Sequence, residues 1–272
     1  MKAKKKVGKL VEQASFVMRD DVLKLIKKAH TQETKSGAKK ALERILDNAK
    51  IAKKENLAIC QDTGLPIVFI EAGKDVKIQA SLIEEIKKGV EYGYRKNYLR
   101  PSMVDPHLRD KSSYEGAIVH IEFSLKAKGL KIIVFPKGFG SENKSQLKMF
   151  NPTAGIERIE EFILDCVKDA GPESCPPFIV GVGVGGASDT ALLLAKKSFL
   201  SRIDKANPDK KLDKLEKSLL KKINALGIGP MGLGGKSTCL AVKIKKAPTH
   251  IAGLPVGVNI SCWALRSATI KL

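Results

Sequence analysis

The sequence predicts an α/β fold of the mixed α+β kind, with a helical amino-terminal layer followed by a mixed β-sheet and its helices. Over residues 7–29 and 34–54, apolar side chains recur at helical spacing, as in Leu42, Ile45, Leu46 and Ala49. From residue 57 onward, short β-branched runs alternate with segments of helical period. A chain of 272 residues, 43% of them hydrophobic, is long enough to bury a large core. Residues 1–272 are therefore expected to form a single domain, with 1–56 as the helical layer and 57–272 as the sheet.

The helices over 7–29 and 34–54 should pack on one another. The second ends before Ile59-Cys60-Gln61-Asp62-Thr63-Gly64, after which Leu65–Ala72 reads as a buried strand and Ser81–Arg95 as a helix. Between Tyr98 and Pro106, two prolines push their predecessors Arg100 and Asp105 towards extended geometry and display Arg100 on a loop. Strands over Ala117–Ser124 and Leu130–Phe135, with a turn near Lys128-Gly129, read as a hairpin. A helix over Thr153–Ala170 places Ile156, Ile159, Ile163 and Cys166 on one face, which makes Cys166 a core residue. Cys175, ahead of Pro176, is expected to be extended. A strand over Phe178–Val180, a helix over Ala187–Leu200 and a strand over Ser237–Ile244 that carries Cys239 as a small filler complete the pattern.

The formal net charge of +20 invites a nucleic-acid partner. However, acids accompany the lysines, as in Lys53-Lys54-Glu55 and Glu84-Glu85-Ile86-Lys87-Lys88, which is the pattern of solvated faces. Aromatic residues are only 5% of the chain, and neither a base-stacking run nor zinc-finger spacing occurs, so a basic RNA-associated protein is the remoter alternative. A positive field also draws in small dicarboxylate anions or an acidic protein partner, and lysine–glutamate enrichment is a habit of proteins from hot environments. Five cysteines with no CxxC pair argue for reduced thiols in the cytoplasm. No signal-type h-region follows the basic amino terminus, and no apolar run approaches about 18 residues.

Chemistry concentrates in a few stretches. In Cys60-Gln61-Asp62-Thr63-Gly64, a thiol able to ligate metal stands two residues from a carboxylate able to move a proton, although a helix-to-strand connection needs similar residues. The loop Pro136–Lys144 has the glycines and small polar residues that let successive N–H groups face one anion, or simply make a wide turn. Cys175-Pro176 is a pair also met at iron–sulfur sites. Gly181–Gly186 satisfies GxGxxG, yet the acid expected about 20 residues on is replaced by the lysine-rich segment 202–222. Gly234-Gly235-Lys236-Ser237 resembles the end of a phosphate loop, but Pro230 stands where its first glycine is needed and a strand follows instead of a helix.

Taken together, Cys60-Gln61-Asp62-Thr63-Gly64, Leu99-Arg100-Pro101-Ser102 with Asp105-Pro106, Pro136–Asn143, and Ala247-Pro248-Thr249-His250 with Leu254-Pro255-Val256 and Cys262 resemble the class I, iron–sulfur fumarate hydratases and L-tartrate dehydratases. The resemblance spans almost the whole chain and is to the α subunit of the two-subunit members, or the amino-terminal part of the single-chain ones. It implies a [4Fe-4S] cluster on Cys60, Cys175 and Cys262 with one iron lacking a protein ligand, and leaves Cys166 and Cys239 structural. It implies substrate carboxylate contacts from Gln61, Arg100, His250 and the loop at Phe139 and Gly140, with Asp62 as the acid/base. Phe139 stands where the family usually has glycine. The expected reaction is reversible hydration of fumarate to (S)-malate, with L(+)-tartrate dehydration as the alternative. Because the chain stops at Leu272, shortly after Cys262, the resemblance also implies a β subunit that completes the site, in an α2β2 or similar heteromer.

Overall fold

In the computed structural model, which describes residues 3–272, the elements follow in the order α1 (Ala3–Phe16), α2 (Asp20–Gln32), α3 (Ser36–Glu55), β1 (Leu65–Gly73), α4 (Ala80–Lys96), β2 (Met103–Val104), β3 (Ser112–Ser113), β4 (Ile118–Ser124), β5 (Leu130–Lys137), α5 (Phe139–Glu142), β6 (Gln146–Phe150), α6 (Gly155–Ala170), β7 (Phe178–Gly186), α7 (Ser188–Ser198), α8 (Lys210–Ala225), β8 (Cys239–Thr249), β9 (Leu254–Ser261) and β10 (Ala268–Lys271). The fold is mixed α/β. The chain divides into two units, one comprising the residues up to Arg19, Asn48–Phe139 and Arg266–Leu272, the other Asp20–Asp47 and Gly140–Leu265. The single helix expected over 7–29 is two, α1 and α2, broken at 17–19. Asp20 and Asp21 open the second, where acids suit the helix dipole. The Asp21 carboxylate is buried and accepts the N–H groups of Val22 (3.0 Å) and Ile203 (2.8 Å).

The first unit is built on a four-stranded sheet of order β10-β5-β1-β4, with β1 parallel to β4 and antiparallel to β5. The expected hairpin of β4 with β5 does not form. The apolar strand β1, nearly all buried, takes the place between them because both of its neighbours must be strands. The connection from β4 to β5 crosses the end of β1 at Gly73, where a Cβ would lie 2.6 Å from Lys128 Cα. On this sheet α1 packs against α4 rather than as a layer with α3. Glycines set that contact: a Cβ on Gly89 would stand 2.8 Å from Val7 Cβ, one on Gly93 2.7 Å from Val11 Cβ, and one on Gly8 2.8 Å from the Tyr92 ring. Val7, Val11, Val68, Ile70, Ile86 and Val134 are fully or almost fully buried in the resulting core.

The second unit has a four-stranded sheet of order β6-β9-β7-β8, with β7 parallel to β8 and antiparallel to β9. Its core joins Ile163 and Cys166 of α6, Leu219 and Ile223 of α8, and the apolar residues of β7, β8 and β9. Ile156, expected on the same helix face, is exposed. The GxGxxG run is strand rather than phosphate turn. A Cβ at Gly181 would come within 2.3 Å of the Ala195 carbonyl oxygen, and one at Gly183 within 2.0 Å of the Ala191 carbonyl oxygen, so these glycines let α7 lie directly on β7. The second glycine cluster does cradle an anion, but an internal one. The buried Glu33 carboxylate accepts the N–H groups of Thr34 (2.9 Å), Lys35 (3.0 Å) and Lys236 (2.8 Å). Among the described residues, no helix is long and apolar enough to cross a membrane.

Candidate functional site

The first unit carries Cys60, Gln61, Asp62, Arg100 and Phe139. Ile59 is fixed first: its N–H donates to the Ser15 carbonyl (3.0 Å) and its carbonyl accepts from Asn48 Nδ2 (2.8 Å). Cys60 then stands half-buried and Gln61 exposed. Asp62 Oδ1 accepts the Gly64 N–H at 2.9 Å, and Oδ2 accepts the Phe139 N–H at 2.6 Å. One carboxylate therefore ties the entry of β1 to the exit of β5. The Phe139 N–H, which the resemblance directs at substrate, is given to Asp62 here, and the Phe139 side chain is exposed. Gly64 has φ +85°, and a Cβ there would lie 2.8 Å from the Pro136 carbonyl carbon, which accounts for glycine at this turn.

Thr63 links this loop to the next motif, its Oγ1 accepting the Arg100 N–H at 3.1 Å. Arg100 is exposed on its loop, as its proline context predicts. Beneath them the buried Tyr94 hydroxyl donates to the carbonyls of Thr63 (3.1 Å) and Gly64 (3.0 Å). Burial holds this phenol well above its ordinary pKa, so it stays a neutral donor.

The second unit carries Gly140, Cys175, His250 and Cys262. Cys175 is not extended as expected. It ends a short 3₁₀ turn with φ +50° and ψ +66°, its N–H donating to the Pro172 carbonyl at 3.1 Å. The turn overrides the pull of the following proline and leaves a non-glycine residue in the left-handed region, a conformation kept where the surroundings enforce it. The Cys175 carbonyl accepts the Trp263 N–H at 3.4 Å, which brings the residue after Cys262 beside it, and Met231 N–H braces the Pro176 carbonyl at 2.7 Å. His250 stands exposed at the turn between β8 and β9. Its Nδ1 accepts the Ala252 N–H at 3.2 Å, which assigns the ring proton to Nε2. Gly140 is exposed, and a Cβ there would meet nothing within 4 Å, so packing does not demand glycine. Below it Glu142 is held by Lys196 Nζ (2.5 Å) and Asn259 Nδ2 (2.9 Å).

The five cysteines, none of them in a disulfide, are of two kinds. Cys60, Cys175 and Cys262 are half-buried on loops, whereas Cys166 and Cys239 are buried and burial pushes their thiols up to about 12. Soft thiol donors at partly accessible turns fit the iron–sulfur cluster that the resemblance implies. Among the described residues, no group of three or more His, Cys, Asp or Glu side chains is gathered closely enough to hold a metal ion. Among the described residues, the two most deeply buried cations escaped the sequence reading. Lys137 is 1% exposed and donates to the Gly138 carbonyl at 3.1 Å; Arg266 is likewise 1% exposed. The signal was available for Arg266, a lone charge in the apolar stretch Trp263-Ala264-Leu265-Arg266.

A family model described as fumarate hydratase (Fumerase) matches residues 4–271. A protein of Methanocaldococcus jannaschii provisionally named L(+)-tartrate dehydratase subunit alpha is 43% identical, with 100% of this chain and 98% of that protein covered. The L(+)-tartrate dehydratase subunit alpha of Escherichia coli O157:H7 is 30% identical, with 97% and 88% covered. The protein of the same name from Escherichia coli K12 is 29% identical over the same shares.

Proposed function

This chain belongs to the fumarate hydratase (Fumerase) family, and from that premise we propose that it is the α subunit of a hydro-lyase that reversibly hydrates fumarate to (S)-malate. The observation that supports this reading most is the Asp62 carboxylate, held by two backbone N–H groups on a loop that also anchors Arg100 through Thr63. A carboxylate so fixed is oriented for proton transfer without a rotamer search. In the hydration direction Asp62 takes a proton from the incoming water, and in dehydration it returns one to the departing hydroxyl. The exposed Arg100 guanidinium grips a substrate carboxylate, His250 donates from Nε2, and Gln61 with the loop at Gly140 completes the polar contacts, the Phe139 N–H being taken by Asp62. Cys60, Cys175 and Cys262 would hold a [4Fe-4S] cluster, which when bound would supply Lewis-acid polarisation through an iron that the three cysteines leave without a protein ligand. The left-handed Cys175 and the contrast between half-buried and buried thiols support that assignment.

The relatives' names favour a second reading, dehydration of L(+)-tartrate. Those names also carry the word subunit, so a β subunit supplies the group that handles the C–H proton, in an α2β2 or similar heteromer. Cysteines held outside disulfides suit the cytoplasm. The test is anaerobic purification of the chain with its co-expressed partner, followed by kcat/KM for fumarate and for L(+)-tartrate. A higher value for fumarate supports the first reading and a higher value for tartrate the second. Absence of both activities in iron-loaded complex would sink the assignment. Cys60→Ser, Cys175→Ser and Cys262→Ser lower iron content while Cys166→Ser and Cys239→Ser keep it; full iron in the first three removes the cysteines from the cluster.

A further inference from the structure

Arg266 is among the largest fully buried side chains, yet its Nε and Nη1 have no hydrogen-bond partner. A guanidinium cannot shed its charge, and a buried charge left without donors satisfied is strongly destabilising. An unsatisfied buried group in a native fold calls for an explanation, and an anion that completes it is one.

The sheet topology says where Arg266 stands. β10 begins at Ala268, opposite Val134 of β5, and β1 begins at Leu65, opposite Lys137. Arg266 precedes β10 by two residues, Asp62 precedes β1 by three, and Phe139 follows β5 by two. All three leave the sheet at the same end. The Tyr94 hydroxyl, bonded to the Thr63 and Gly64 carbonyls, is reached there by the positive field of Arg266 and the negative field of Asp62. Asp62 is not short of donors, since each of its oxygens accepts a backbone N–H. The guanidinium thus carries an unpartnered Nε and Nη1 at the same end of the sheet as the proposed acid/base.

We propose that Arg266 is a substrate-binding residue, whose guanidinium is the counter-charge for one carboxylate of the dicarboxylate on which Asp62 acts. This rests on the functional reading above and adds a second cation to Arg100, one for each end of a dicarboxylate. It also makes the charge a case of stability given up for binding: without ligand the arginine is a burden on the fold, and with ligand it becomes a paired, desolvated ion.

The experiment uses Arg266→Met and Arg266→Lys in the full chain, purified with any partner that accompanies it. Thermal unfolding is measured first without ligand, then with fumarate, L(+)-tartrate, succinate and, as a control anion, inorganic phosphate. Arg266→Met should unfold at the wild-type temperature or above it, retain its iron, and lose dicarboxylate affinity by roughly thirtyfold or more, with KM moving more than kcat. Arg266→Lys should keep part of that affinity. A lower unfolding temperature for Arg266→Met with wild-type dicarboxylate binding makes the arginine structural and overturns the proposal. Loss of iron makes the cluster its anion and overturns it too. A wild type that binds dicarboxylate no better than Arg266→Met fails this proposal alone; a wild type that binds none fails the functional reading as well.

Discussion

Asp62 accepts from Gly64 and Phe139 with different oxygens, so replacing it by asparagine is not neutral in shape. A carboxamide offers one acceptor, and its NH₂ would confront one of the two N–H groups as donor against donor. Asp62→Asn should therefore keep its iron, lose turnover by roughly 10² to 10⁴, and exchange the Phe139 amide faster than the wild type. Iron analysis, steady-state kinetics and hydrogen exchange read the three effects; near-normal turnover takes Asp62 off the proton path. The cysteines divide on equally local grounds. Thiols held at about 12 by burial react slowly near neutral pH, because the thiolate is the nucleophile. Brief alkylation of the native, iron-free chain should modify Cys60, Cys175 and Cys262 and spare Cys166 and Cys239, as read by peptide mass. Early labelling of Cys239 would contradict its burial.

Helix α4 lies on α1 because Gly89 and Gly93 leave no side chain in the way. In an isolated helix, Gly93→Ala would gain about 1 kcal/mol. Here the new methyl would meet Val11 Cβ at 2.7 Å, and overpacking of this kind costs about 1–3 kcal/mol. The expected result is a lower urea midpoint with an unchanged slope; a raised midpoint would mean the helices part without penalty. The nest around Glu33 gives a pH-dependent counterpart. Burial works to raise the Glu33 pKa, but the N–H groups of Lys35, Lys236 and Thr34 together outweigh it and hold the carboxyl below the usual glutamate range. The folded-state pKa is depressed, so the stabilisation is present above the unfolded value and is lost as pH falls through the folded one. Glu33→Gln should cost about 1–3 kcal/mol near neutral pH, and its gap from wild type should narrow as pH falls below the ordinary glutamate range. A gap that stays constant down to the acid limit would take the charge out of the effect.

The whole molecule carries 49 basic and 29 acidic residues, a net +20. Such a field favours an acidic partner over long range, until salt screens it. Fumarate hydration should appear only when the partner polypeptide is added, and the rate of reconstitution should fall between about 0.01 M and about 0.15 M salt, where the Debye length shortens from about 30 to about 8 Å. Stopped mixing followed by activity measurement checks both points. Full activity from this chain alone removes the need for a partner, and a salt-independent rate removes the electrostatic account of its recruitment.

The sequence by itself determined what depends on near neighbours. Helical period put Ile159, Ile163 and Cys166 into one core, the β-branched run after Gly64 made a buried strand, and two prolines displayed Arg100. It also supplied the set of residues proposed for the site, because motif order is itself a property of the chain. Tertiary structure decided what depends on partners far away. It placed β1 between β4 and β5 against the local turn signal, turned GxGxxG into a seat for α7, and filled the Gly-Gly-Lys turn with Glu33 from 203 residues earlier. It set Cys175 left-handed despite Pro176 and buried Arg266 with Nε and Nη1 unsatisfied. Periodicity and turn chemistry act over a few residues, whereas strand order, close backbone approach and the pairing of a buried charge are fixed only when distant segments compete for the same space.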